Sequence, residues 1–573
     1  MKGSLIVIVV LGAIASCFSL DREAFTFTQY DLKVQVEPEQ QRLAARGTVT
    51  LRNDSPAPQK NAVMQISSGL TWHSIQVDGK PVQFVSQPYT SDIDHTGELS
   101  EAIVALPKEI APGGSVELTI GYEGVIALDA TRLTRIGLSQ AAAIHSDWDQ
   151  IGKTFTAVRG VGNVTWYPVA TEVGNLSEGN SLFETLAKWK AREKDARIRI
   201  RLEYSSLPND AAPPTVLCIG SPFPGGTRGE SSSGHAADCS HESLALLAPG
   251  FVAGEYELLD RPNVEIAYRA ESKINAEKFA QAADKAAPFV KEWFGAVREK
   301  AQVVELFDGE ASPFETGATL LTPLHDTDPK LLEIALVHEL THAALPSSRQ
   351  WIFEGVAHFA QAAYREQKES RAAALGLLER QRLAILEAEK AVAVRPKDAP
   401  AMDDSLIATA IDEFYRSKAA YVWWMLRDML GEETLKKVLA AYRPGQDKDP
   451  AHLQHLLEAE SKRDLQWFFD DWVYHDRGLP DFRVESAYPR QASQGNYLVT
   501  VTIENLGNAG AEVPVTVRFE GGEMTQRVEV RGKAKGVVRV TTPKSPTEVT
   551  VNDGSVPESD LANNVFKVES AGK

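Results

Sequence analysis

Positive charge is in short supply along this chain of 573 residues: 60 Lys and Arg stand against 78 Asp and Glu, a formal net charge of −18. No Lys/Arg-rich run offsets the deficit, and a surface of that sign repels phosphate backbones, which argues against a nucleic-acid partner. Long apolar runs are missing as well. The only candidate, residues 5–14, is too short to span a bilayer. Cysteine is limited to Cys17, Cys218 and Cys239. What remains is close to the soluble globular average, with 43% apolar and 24% charged residues, which excludes a disordered, collagen-like or polytopic membrane protein.

The apolar run 5–14 follows Lys2 and precedes Ala15-Ser16-Cys17. This is the layout of a signal peptide, so residues 1–19 are expected to be a leader and the mature chain to be exported. Ile14-Ala15-Ser16-Cys17 also resembles a bacterial lipobox, whose cysteine is lipidated; ordinary cleavage nearby would instead discard Cys17. A lipid there would be the chain's only membrane attachment. The expected location is therefore periplasmic, cell-surface lipoprotein or extracellular. In such an oxidising setting, Cys218 and Cys239 bracket a Pro/Gly/Ser-rich stretch, 222–234, and read as a disulfide staple.

The length implies three or four domains. Residues 24–262 show short alternating strands with turn signals, such as 30–36, 47–51, 75–79 and 116–122, and are expected to form a β-sandwich or saddle carrying the stapled loop. Residues 263–482 switch to helical periodicity, over 275–294, 331–345, 351–368, 370–392, 405–430, 432–442 and 464–475, with a short strand at 302–307. Strand patterns return in 483–573, as in 497–503 and 526–530, and fit an immunoglobulin-like sandwich. The expected class is multidomain α+β.

The helix at 331–345 holds His338-Glu339-Leu340-Thr341-His342. Residues four apart share one helix face, so both imidazoles can bind a single zinc ion, while Glu339 reaches water at that centre as general base. The flanks are apolar: Ile334, Ala335, Leu336 and Val337 before, Ala343, Ala344 and Leu345 after. Unpaired histidines are expensive to bury there, and a metal satisfies them. A catalytic site needs a third protein ligand. The extended motif H-E-x-x-H-x-x-G-x-x-H is absent, since Leu345 and Ser348 occupy its key positions, which excludes metzincins. Pro346-Ser347-Ser348 breaks the helix, and Glu354, in the first turn of the next one, can face back onto the metal. Its alternative role is to favour that helix's N-terminus.

His338-Glu339-Leu340-Thr341-His342 followed by Trp351-Ile352-Phe353-Glu354-Gly355-Val356-Ala357 resembles the gluzincins, thermolysin-like zinc metallopeptidases, and most closely their aminopeptidase-N-like branch. Asp78-Gly79-Lys80-Pro81-Val82, Trp166-Tyr167-Pro168, Phe468-Phe469-Asp470-Asp471-Trp472 and Gly478-Leu479-Pro480 match further family segments in order. The resemblance implies a mainly helical thermolysin-like catalytic domain with one Zn2+ held by His338, His342 and Glu354. It implies that Tyr415, in Tyr415-Arg416-Ser417-Lys418-Ala419-Ala420, donates a hydrogen bond to the developing oxyanion. Gly317, Ala318 and Thr319 fall where the family's G-x-M-E-N edge strand aligns extended substrate, and Leu320 then stands where the amine-binding glutamate would be. That loss moves the expectation away from aminopeptidase and towards endopeptidase or amidase activity. Only eleven residues separate His342 from Glu354, fewer than in the aminopeptidase branch. His358, one turn past Glu354, replaces an aspartate that would orient a zinc histidine; it is the spare ligand.

The expected function is secreted, zinc-dependent hydrolysis of peptide bonds in a peptide or protein substrate. The rival is a non-catalytic, surface-anchored binding protein that keeps the gluzincin scaffold.

Overall fold

The computed structural model describes residues 20–205, 214–220, 229–231, 234–393, 405–492 and 495–568. The leader, Cys17 and most of the Pro/Gly/Ser-rich stretch 222–234 lie outside the described residues.

The N-terminal part is built on an eight-stranded sheet. Its centre is Phe25–Glu37, which pairs antiparallel with Arg42–Asn53 and parallel with Arg197–Ser205. Tyr30, Leu32, Val34 and Val36 are buried while Asp31 and Gln35 are exposed, the period-two pattern of a strand with one face on a core. A three-stranded layer, Gln59–Ser67, Glu98–Ile110 and Phe84–Thr90, covers that face. Trp166 and Tyr167 fill the gap, their rings edge-on to each other and to Phe251 and Tyr30 respectively, with the Trp166 indole donating to the Pro249 carbonyl. Cys218 and Cys239 form a disulfide that joins strands Thr215–Ile219 and Gly234–His241.

One helix here has no counterpart in the sequence-based expectation: Ser181–Glu193. It is anchored by the buried Leu182 and Trp189 and by Glu193, which accepts the Tyr30 hydroxyl at 2.9 Å.

A five-stranded sheet opens the next region, in the order Glu257–Asp260, Val264–Tyr268, Ala301–Glu305, Thr319–Thr322, Phe314–Thr316. The three central strands are parallel and both outer strands antiparallel. Glu257–Asp260 belongs to this sheet through its hairpin with Val264–Tyr268. Helices Lys273–Phe294, Pro329–Ala344, Gln350–Lys368, Arg371–Ala393, Ala419–Leu430, Glu432–Ala441 and His452–Ser461 follow. The helix expected over 405–430 is instead a set of turns and a widened π segment, Phe414–Lys418, leading into Ala419–Leu430.

The C-terminal strands make two facing sheets, Phe482–Gln491, Tyr497–Asn505 and Lys535–Thr542 against Gly522–Val530, Ala511–Phe519, Pro546–Val551 and Val565–Lys567. Their inner valines join the apolar core of the helical region. Polar ties lock the junction: Trp472 donates to the Gly510 carbonyl at 2.7 Å, and Glu558 accepts the Phe482 amide at 2.8 Å. Asp553 accepts from Arg371, and Asp560 accepts the Ala562 amide, which are turn and ion-pair roles. No described helix is long and apolar enough to cross a membrane.

Candidate metal centre

The helix Pro329–Ala344 starts on Asp328, whose carboxylate accepts the Lys330 amide, with Pro329 in the first turn, a favoured start signal. It then runs through the core, so that His338, Glu339 and His342 are only 5%, 2% and 1% exposed. The helix Gln350–Lys368 returns against it. Trp351 stacks on Trp423 at 5.2 Å, and the Trp423 indole donates to the Trp351 carbonyl at 3.1 Å. Gly355 follows Glu354 because nothing larger fits: a Cβ there would lie 2.5 Å from the Ala419 Cβ. The Glu-Gly pair therefore reflects one close helix contact that sets the position of Glu354.

At the convergence of these elements, Glu315, His338, His342 and Glu354 bring one ligand atom each to within 4.8 Å of one another. The two Nε2 atoms face each other at 3.0 Å. The His342 ring is held by stacking on Phe353, with ring centroids 3.7 Å apart. Glu354 Oε2 lies 3.9 Å from His338 Nε2 and accepts Arg416 Nε at 3.2 Å. Glu315 Oε1 lies 2.9 Å from His338 Nε2 and 2.7 Å from His342 Nε2.

Glu315 is the residue the sequence reasoning missed. It sits on Phe314–Thr316, the outermost strand of the sheet, directly opposite Leu320 in the hairpin. The cross-strand partner of Leu320 is thus a carboxylate that reaches the cluster. Gly317, Ala318 and Thr319, expected as the substrate-aligning strand, fall at the turn of this hairpin and the start of its inner strand. Gly317 makes the hairpin turn at φ +61, Ala318 lends its carbonyl to Gln302, and Thr319 begins a strand paired on both sides. Among these strands, only Phe314–Thr316 has a free edge facing this site.

The electrostatics are those of a buried charged cluster. Burial disfavours charge on Glu315, but the two imidazoles hold its carboxyl well below the usual range. Burial likewise opposes a charged His338, and Glu315 overrides it and raises the ring. Glu339 is pushed well above the usual carboxylate range, by burial first and then by the charges of Glu315 and Glu354. Its Oε2 has no hydrogen-bond partner among the described residues, nor do the Nδ1 atoms of His338 and His342.

Two buried ring nitrogens 3.0 Å apart, ringed by carboxylates, need a cation or proton between them. Two imidazoles and two carboxylates are donors that suit Zn2+, so the residues present fit that ion. His358 is not part of the set: its Nδ1 pairs with Gln361 Oε1 at 3.1 Å, and burial lowers its pKa well below the usual range. Tyr415 stands outside it too. It is a half-buried residue of the π segment beside Arg416, its phenol pushed up by burial and then by Asp412. Arg416, not Tyr415, is the group set against Glu354.

No protein-family profile and no curated protein matches this chain. Solved structures do. The chain is similar to a glutamate-to-alanine mutant of an M1 zinc metallopeptidase from Deinococcus radiodurans, with a TM-score of 0.50 and 17% identity over 81% of this chain and 97% of that one. A second structure of such a mutant, bound to a Tyr-Ser-Ala substrate, matches with the same score, identity and coverage. The fold is that of the M1 zinc metallopeptidases.

Proposed function

We propose that this protein is an exported zinc peptidase that cleaves peptides from a free amino terminus. The convergence of His338, His342, Glu354 and Glu315 beside the buried Glu339 carries the reading. The fold, and the peptide held by a structure of the same fold, support a peptide substrate.

His338, His342 and Glu354 would hold one zinc ion, which supplies a Lewis acid to polarise the scissile carbonyl and to acidify water. Glu315 is assigned to the substrate, because its side chain is 24% exposed while that of Glu354 is 10% exposed. A carboxylate there pairs with a substrate ammonium and aligns it. The free edge of Phe314–Thr316 adds main-chain hydrogen bonds to an extended peptide. Glu339 takes the proton of the attacking water and delivers it to the leaving amine; its unpartnered Oε2 is free to do so. Arg416 braces Glu354, and Tyr415 is assigned as donor to the oxyanion. The N-terminal leader pattern and the Cys218–Cys239 disulfide support export.

The test is hydrolysis of a peptide library with free and N-acetylated termini by wild type, Glu339→Gln and Glu315→Gln. Turnover that vanishes in Glu339→Gln with zinc retained, and a preference for free amines that vanishes in Glu315→Gln, support the reading. No turnover by the zinc-loaded wild type would leave the non-catalytic binding protein in its place.

A further inference from the structure

The N-terminal domain reaches into the catalytic region through the helix Ser181–Glu193. Its Lys190 lines a cavity of about 480 Å³ that also touches the start of the return helix at Ser348, Arg349 and Gln350, and the π segment at Tyr415. That volume is within the range that holds a small organic ligand. The cavity adjoins the metal centre: Glu354 lies one helical turn beyond Gln350, and the charge of Glu354 is felt by both Lys190 and Tyr415.

The charge inside the cavity is the reverse of that of the whole protein. Its ionisable lining is four cations, Lys190, Lys194, Arg349 and Lys448, against two carboxylates, Asp195 and Asp447. Arg349 is occupied by Asp447 at 2.7 Å. Lys190 is half-buried and has no hydrogen bond or ion pair among the described residues. Burial weakens its ammonium, lowering its pKa. A partly desolvated ammonium that feels Glu354 and Asp412 only at a distance and makes no direct ion pair, in a net positive cavity, is a site for an anion.

We propose that Lys190 binds the α-carboxylate of a short peptide whose scissile bond lies at the metal centre, and so selects small peptides with free carboxyl ends. This rests on the peptidase reading above. Held at Glu315 by its amine and at Lys190 by its carboxylate, a substrate would be measured at both ends. Longer chains would have to carry their polypeptide past Lys190 without that ion pair. Lys190 acts on substrate binding, not on the proton transfers.

The experiment uses trialanine and trialanine amide with the full-length, zinc-loaded protein. Binding is followed by calorimetry in the Glu339→Gln background, where nothing is consumed, and turnover in the wild-type background. We expect trialanine to bind at least tenfold more tightly than its amide, Lys190→Met to abolish that difference while binding the amide unchanged, and Lys190→Arg to restore most of it. In turnover, Lys190→Met raises KM for trialanine with kcat retained. Equal binding of the free acid and the amide, or a preference that survives Lys190→Met, would overturn the proposal. Selective binding that depends on Lys190, with no turnover by the wild type, would support the carboxylate site while refuting the peptidase.

Discussion

Replacing Gly355 by alanine probes how the fold holds Glu354, the proposed third metal ligand. The added Cβ would lie 2.5 Å from the Ala419 Cβ and 3.2 Å from Cδ1 and Nε1 of Trp423, where carbon atoms pack at about 3.5–4.0 Å. The helices Gln350–Lys368 and Ala419–Leu430 must therefore part by about an ångström. Alanine gains roughly 0.5–1 kcal/mol over glycine within a helix, and overpacking costs roughly 1–3 kcal/mol. The expected net loss is about 1–2 kcal/mol. Because Glu354 is the neighbouring residue, the same displacement should weaken zinc binding by about tenfold or more, the effect of disturbing a ligand's support. Denaturant unfolding reads the first quantity and zinc competition with a chromophoric chelator the second. Adding Ala419→Gly removes the shortest contact and should recover part of both. If Gly355→Ala leaves stability and zinc affinity unchanged, the close contact does not position Glu354.

Glu315→Gln should lower kcat/KM for free-amine peptides by about 100-fold, the scale of a lost charge-assisted contact, and leave N-acetylated peptides unaffected. Tyr415→Phe should lower kcat by about 10²–10³ with KM little changed if its hydroxyl meets the oxyanion; an unchanged kcat removes it from the mechanism. Burial raises the carboxyl of Glu193 to about 7, above the unfolded value of about 4.3. The native state therefore holds a proton that the unfolded chain has released, and stability falls as pH rises from about 4.5 to 7. Glu193→Gln should match wild type near pH 4 and exceed its stability by up to about 3 kcal/mol at pH 8, and unfolding curves across that range check the sign. Replacing Cys218 and Cys239 together by serine should cost about 3 kcal/mol, the loop-closure value for a separation of 21 residues.

The histidine pair of the cluster was legible because a helix repeats: residues four apart must share a face, whatever the rest of the chain does. Glu354 could be read because Pro346-Ser347-Ser348 breaks one helix and starts another. Glu315 could not, because a tight hairpin sets residue 315 beside residue 320, and sequence spacing does not reveal which of two paired strands carries a side chain into the cleft. The only local signal was the glycine at 317, which marks the turn. Arg416 was passed over because a regular helix was expected through residues 405–430, and the π segment changes which side chain of that stretch meets Glu354. The helix that carries Lys190 was passed over although Leu182, Leu186 and Trp189 recur at helical spacing, because it is one short segment inside a region dominated by strand patterns. The three-part α+β layout was readable from the change of period, whereas a strand pattern does not say which sheet a strand such as Glu257–Asp260 joins.

The most direct test of the central claim is the metal content of the purified full-length protein and of its His342→Ala variant. One zinc ion per wild-type chain is expected, and none retained by the variant after dialysis. A wild-type chain that binds no zinc, or a His342→Ala chain that keeps its full complement, would contradict it.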